Sequence, residues 1–180
     1  LGAPRRDNRD LLRYCTVWDQ FLSSACVGFA TSGATHSRLR ILGFDPEPLS
    51  PLAPYTVGRQ LEGIYKGKLL PDAGSHPFLV MSGSMRFGLP TNKAWPFDQD
   101  WATRVHQEVP FDVFQKASQF RLSNIAAIDV ARSMRAQVCV QAIDSGHLVP
   151  RGMQVGAEFQ AYRRGLGPVG VETGLDLGGH

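Results

Sequence analysis

Gln20 and Cys26 combine residue types and a spacing that suit thiol chemistry. We predict a helix over residues 24–41, rich in small residues and capped by Ser23 or Ser24, which places the Cys26 thiol in the first helical turn. The positive end of a helix dipole stabilises a thiolate, the nucleophilic form of cysteine. The six-residue interval lets the preceding loop return the Gln20 amide to the sulfur, where it can donate to an oxyanion. The alternatives are a buried, inert thiol and a glutamine that only caps a turn.

The elements that must position these residues divide the chain into a helical half and a strand-rich half. After the first helix, four prolines predict a loop over residues 44–55. Two further helices are predicted over residues 56–66 and 77–87. Short apolar or alternating runs predict strands at residues 120–125 and 138–143. This order of elements predicts an α+β fold with two lobes.

Composition and charge narrow the class of protein. The 180 residues suit a single domain, 1–180, and carry 19 Lys+Arg against 16 Asp+Glu, a formal net charge of +3. This small charge, with no basic run, argues against a nucleic-acid partner. No apolar stretch approaches the roughly 18 residues of a membrane span. Three cysteines are too few for a disulfide scaffold, and none has the spacing of metal ligands, so we expect no metal site.

From Asp7 to Ala30 the sequence resembles the beginning of a mature papain-like cysteine peptidase, of the C1 family, and most of all its bacterial and viral branch. The family run is D-Q-G-x-x-x-S/A-C-x-x-F-A. Its positions are matched here by Asp19, Gln20, Ala25, Cys26, Phe29 and Ala30. The departures are Phe21 for the glycine after the glutamine and Val27 for the aromatic residue after the cysteine. Ser23 replaces a cysteine of the family's first disulfide, so that bridge is not expected.

A second segment extends the resemblance toward a substrate cleft. Residues 73–77, followed by residues 87–89, resemble the family stretch whose glycines line the cleft and whose helix ends at a second glycine. The resemblance therefore implies that Gly74 and Ser75 border the substrate.

The last four residues resemble the family segment that carries the catalytic histidine, here His180. The interval from Cys26 to His180 is close to the roughly 130–150 residues that separate nucleophile and base in papain-like enzymes. The alternative base is His147, which follows a predicted strand.

The resemblance implies a two-lobed papain-like α+β fold, with a helical lobe over about residues 19–100 and an antiparallel sheet or part-barrel lobe over about residues 105–180. It implies hydrolysis of peptide bonds in a peptide or protein substrate, without a metal or an organic cofactor. Cys26 would be the nucleophile, His180 the general base and Gln20 the oxyanion donor.

In the family, the asparagine that orients the histidine and the last barrel strands lie downstream of that histidine. We therefore expect the sheet-rich lobe to be incomplete. Its edge would be covered by a further C-terminal segment or by a neighbouring subunit. Two other functions stay open: a papain-like structural or binding module, with a degraded site, in a larger assembly such as a viral particle, and a thiol amidase that acts on cell-wall peptides or isopeptide bonds.

Overall fold

The computed structural model describes residues 9–66, 71–152, 154–156 and 176–179. The helical elements are a 3₁₀ helix Arg9–Tyr14, α1 Cys26–Ile41, α2 Leu52–Lys66, α3 Pro77–Phe87, α4 Trp101–Arg104, α5 Phe111–Ala117 and α6 Arg132–Asp144. The strands are β1 Gln154–Gly156 and β2 Asp176–Gly179. Among these residues, no helix combines the length and the apolar character that crossing a bilayer requires.

The chain divides into two compact units, residues Leu1–Val149 and Pro150–His180. The first unit contains all the helices named above, and the second contains β1 and β2. The two strands pair antiparallel, with Gln154 opposite Gly179 and Gly156 opposite Asp176. The interval on β2 is one residue longer than that on β1, which is the signature of a β-bulge.

The predicted α+β fold with an antiparallel sheet or part-barrel lobe is wrong, because the described chain is helical apart from the short β1–β2 pair. Residues 138–143, predicted as a strand, lie inside α6, and residues 120–125 form no strand. A short apolar run cannot separate a strand from a helix by periodicity alone. The residues around that run favour a helix, since Arg, Met, Ala and Gln are strong helix formers.

The first three helices follow the sequence more closely. The prediction of a helix from Pro77 to Phe87 is confirmed, and Gly88 ends it with a φ of 86°, which glycine adopts without strain. The proline-rich loop is shorter than predicted, because α2 begins at Leu52 and carries Pro54 in its first turn. A proline is tolerated there because the first-turn N–H groups have no partner within the helix.

Close backbone approach fixes α1 against the segment that leads into α2. A Cβ atom added to Gly28 would lie 2.2 Å from the Pro51 carbonyl oxygen and 2.9 Å from the Tyr55 Cβ. Four residues further along α1, the Ser32 hydroxyl donates to the Ser50 carbonyl oxygen at 2.6 Å. The buried residues of α1 include no large apolar side chain; they are Gly28, Thr31, Ser32, His36 and Ser37.

The helix α2 also packs against α3, again through glycine. A Cβ on Gly58 would lie 2.5 Å from Val80 Cγ2, and one on Gly83 would lie 2.6 Å from Val57 Cγ1.

The hydrophobic core contains Ala25, Leu52, Ala53, Tyr55, Val57, Trp95, Phe97, Val105, Val109 and Val113. The helix α2, which carries Tyr55, therefore packs against both α1 and α3.

We expect Gly28→Ala to lower the free energy of unfolding by about 1–3 kcal/mol, because the backbone of α1 must move away from Pro51 to admit the methyl group. Gly33→Ala is the matched control on the same helix, since no atom lies within 4 Å of its added Cβ. The control should gain about 0.5–1 kcal/mol from helix propensity. Urea unfolding followed by circular dichroism measures both, and equal stabilities of the two variants would contradict this account of the packing.

Candidate functional site

The helix α1 begins at Cys26, two residues after the predicted start at residue 24, so Cys26 still lies in the first helical turn. Its N-cap is Ala25, which is fully buried, so neither predicted serine caps the helix. The Cys26 thiol is free and partly exposed. The N–H groups of the first turn have no partner within the helix and carry its positive end, so an anion beside Cys26 is favoured there.

Gln20 lies in a tight turn that ends at Ser23, three residues before the nucleophile candidate. The Ser23 N–H and hydroxyl both donate to the Gln20 carbonyl oxygen, at 3.1 Å and 2.7 Å. In return, the Gln20 side-chain Nε2 donates to the Ser23 carbonyl oxygen at 3.3 Å. The amide is therefore folded back along the turn that leads into α1. Because an amide nitrogen carries two hydrogens, one donor of Gln20 is left for another acceptor.

Phe21 has a backbone conformation that glycine adopts more easily, and it stands at the position of the glycine in the D-Q-G run. Its φ is 50°, in the left-handed region that costs a non-glycine residue on the order of 1 kcal/mol. Two contacts hold it there: its N–H donates to the Asp19 carboxylate at 2.8 Å, and its ring stacks on Phe97 with centroids 5.9 Å apart. The turn thus keeps a conformation suited to glycine while carrying an aromatic side chain.

Asp72 ties the loop that contains Gly74 to the start of α1. Its carboxylate accepts the Ser24 N–H at 3.4 Å, and its carbonyl oxygen accepts the Ser24 hydroxyl at 3.2 Å. The other carboxylate oxygen accepts the Tyr55 hydroxyl, which in turn accepts the Gly74 N–H at 3.1 Å. The structure therefore connects the predicted cleft loop to a residue two positions before Cys26.

Tyr55 is a fully buried anchor for this network. Burial, followed by the hydrogen bond to Asp72 and the charge of that carboxylate, raises the pKa of the phenol far above its ordinary value, while the cationic Arg59 opposes the shift. The Arg59 guanidinium lies 5.1 Å from the centre of the Tyr55 ring and donates to the Val105 carbonyl oxygen at 3.0 Å. At neutral pH the phenol is therefore protonated and acts as a hydrogen-bond donor.

The two predicted substrate-binding residues differ in their surroundings. Gly74 has a φ of 88°, and no atom lies within 4 Å of an added Cβ, so this position is open. The Ser75 hydroxyl is buried and lies 2.8 Å from a Cβ added to Gly58 on α2. The Ser75 side chain therefore faces α2, and the open side of this loop is at Gly74.

A shallow depression lies beside the Gln20 turn. Its walls are Val17, Trp18, Asp19, Phe21, Phe97, Asp98, Gln99 and Asp100. The Arg104 guanidinium donates to the Asp98 carboxylate at 2.7 Å, and this hydrogen bond lowers the pKa of Asp98. Aromatic rings next to carboxylates form a surface whose charge complements a cation.

The histidines differ in their surroundings. His36 is buried in α1, and its Nε2 lies 3.1 Å from the Pro46 carbonyl oxygen. His76 caps the N-terminus of α3. His106 and His147 are exposed. The predicted base His180 lies outside the described residues, one position after the end of β2. Within the part of the chain that the structure describes, no three His, Cys, Asp or Glu side chains are grouped as metal ligands would be.

Sequence reasoning missed Asp72 and Tyr55. They are 17 residues apart, and 48 residues separate Asp72 from Ser24. No local periodicity links such distant positions. The only available signal was the Pro-Asp-Ala-Gly composition of the loop, which indicates a turn but not its contact.

Comparison of the fold with solved structures identifies a similar protein. The match is xylellain, a cysteine protease from Xylella fastidiosa, with a TM-score of 0.65 and 15% sequence identity over 87% of this chain. This chain spans 63% of the length of xylellain. No family profile and no curated protein matches the sequence. The chain therefore has a fold similar to that of a cysteine protease.

Proposed function

We propose that this protein is a papain-like cysteine peptidase in which Cys26 is the nucleophile. The observation that carries the proposal is the juxtaposition at the start of α1. Cys26 opens the helix, and the Gln20 amide is folded onto the turn directly before it. The similarity in fold to a cysteine protease supports the same assignment.

In the first step, the Cys26 thiolate attacks the carbonyl carbon of a substrate peptide bond. A C–S bond forms, and the carbonyl π electrons move onto oxygen. The remaining N–H of Gln20 and the Cys26 backbone N–H would donate to this oxyanion, which is stronger than the ground-state carbonyl as an acceptor. The helix N-terminus adds a favourable field for both negative charges.

His180 is the proposed proton carrier, an assignment that rests on the resemblance of the last four residues to the family's histidine segment. It would accept the thiol proton and then give it to the leaving amine as the C–N bond breaks. The resulting thioester is hydrolysed when water, deprotonated by the same imidazole, attacks the acyl carbon. The C–S bond then breaks, and the thiol is restored.

The substrate would lie along the open side of the loop at Gly74. That position leaves room for an extended chain, because no atom lies within 4 Å of an added Cβ. The depression next to Gln20, with its carboxylates and aromatic rings, gives the other side of the site an acidic character.

We expect Cys26→Ala to abolish peptidase activity while leaving the midpoint of thermal unfolding nearly unchanged, because the thiol is partly exposed. Cys139→Ala, at a partly exposed thiol on α6, is the matched control and should keep full activity. Hydrolysis of a fluorogenic peptide library measures both. Iodoacetamide labelling followed by mass spectrometry should modify wild-type Cys26 faster than Cys139. Inactivity with equal labelling would instead favour a structural module.

Gln20→Ala should lower kcat about 10²-fold with little change in KM, because one oxyanion donor supplies about 3 kcal/mol in the transition state. The Cys26 N–H would remain as a second donor. Gln115→Ala, at an exposed position on α5, is the control for loss of a surface amide. A loss confined to KM would show that Gln20 contacts only the ground-state substrate.

A further inference from the structure

We propose that Asp72 is a positioning residue, which holds the Gln20 amide and the Cys26 sulfur in a fixed relation by tethering Ser24 between them. The inference deepens the proposed peptidase function and rests on it. Asp72 itself touches neither the thiol nor the Gln20 side chain in the hydrogen bonds described above.

Ser24 lies in the short segment that joins the Gln20 turn to Cys26. The turn that contains Gln20 closes at Ser23, and α1 begins at Cys26, so only Ser24 and Ala25 lie between them. Rotation about the backbone of this short link would swing the Gln20 turn away from the helix. Asp72 opposes that rotation through two hydrogen bonds to one residue, from the Ser24 N–H and from the Ser24 hydroxyl.

The tether is effective because Asp72 is itself fixed. The Tyr55 hydroxyl donates to its second carboxylate oxygen, and the Tyr55 side chain is fully buried in α2. The same hydroxyl accepts the Gly74 N–H, which fixes the loop after Asp72 as well. Arg59, also buried, covers the tyrosine ring. The chain of contacts therefore runs from the core of α2 to the residue two positions before the nucleophile.

The carboxylate geometry, rather than its charge, is what this role requires. Both carboxylate oxygens accept a hydrogen bond, one from Ser24 and one from Tyr55. An asparagine offers a single acceptor oxygen and turns an NH₂ group toward one of the two donors. A glutamate keeps the charge and both acceptors but is longer by one methylene. Each replacement should thus break a hydrogen bond of the carboxylate, while the bond from the Ser24 hydroxyl to the Asp72 backbone carbonyl oxygen stays.

The experiment compares Asp72→Asn and Asp72→Glu in the full chain. We expect kcat, normalised to the titrated Cys26 thiol, to fall about 10- to 100-fold in both variants while KM changes less than about twofold, because small misplacements of reacting groups have effects of this size. Tyr55→Phe, which removes one hydroxyl and keeps the ring, should give a smaller fall of the same kind. Asp112→Asn and Asp112→Glu are controls at an exposed aspartate that pairs with Lys116, and should leave kcat unchanged.

Hydrogen exchange gives a readout that does not depend on turnover. Loss of the tether should speed exchange in a peptide covering residues 20–28 and leave a peptide covering residues 31–41 unchanged.

The outcomes separate the two proposals. A normal kcat in both Asp72 variants of an active wild type overturns the positioning role alone. A fall in the glutamate variant that is absent in the asparagine variant, or the reverse, overturns the geometric explanation. Loss of stability with a normal kcat per titrated thiol shows a purely structural contact, which also overturns the role. An inactive wild type removes the peptidase proposal and, with it, the reaction that Asp72 would serve.

Discussion

The arrangement of the helical unit depends on how closely α2 approaches its two neighbours. Gly28 of α1 lets that helix lie against the Pro51 carbonyl group, and Gly58 of α2 does the same for Val80 of α3. Because neither glycine carries a Cβ, both contacts are closer than any side chain at these positions would allow. The positions of α1 and α3 are therefore both set by the surface of one helix.

Tyr55 connects the packing of α2 to the loop at the candidate site. Its Cβ lies 2.9 Å from the position that a Cβ on Gly28 would take, and its hydroxyl reaches both Asp72 and Gly74. A residue in the core thus determines how far the loop of Gly74 stands from the start of α1. Because interiors are close-packed, a shift of α2 would be transmitted to this loop rather than absorbed.

How much of this could be predicted depends on whether a feature is local. The span of α3 follows from neighbouring residues, since the proline at position 77 and the glycine at position 88 each act within their own turn. The start of α1 is predicted two residues too early, because neither serine before Cys26 caps the helix. The apolar run at 138–143 was ambiguous, because its length fits a strand and its flanks fit a helix. The contact between Ser24 and Asp72 joins segments 48 residues apart and depends on the tertiary packing, which no spacing rule contains.

The Gln20 turn is held from two sides by different physical forces. On the polar side Asp72 accepts hydrogen bonds from the Ser24 N–H and hydroxyl. On the other side Phe21 stacks on Phe97, which also meets Phe29 of α1 edge-on, with ring centroids 4.8 Å apart. The stacking of Phe21 on Phe97 offsets the energetic cost of the left-handed backbone at Phe21. A glycine would adopt this conformation without that cost, but it would have no ring to stack on Phe97. Phe97 therefore links the Phe21 ring to Phe29 of α1, the helix that begins at Cys26.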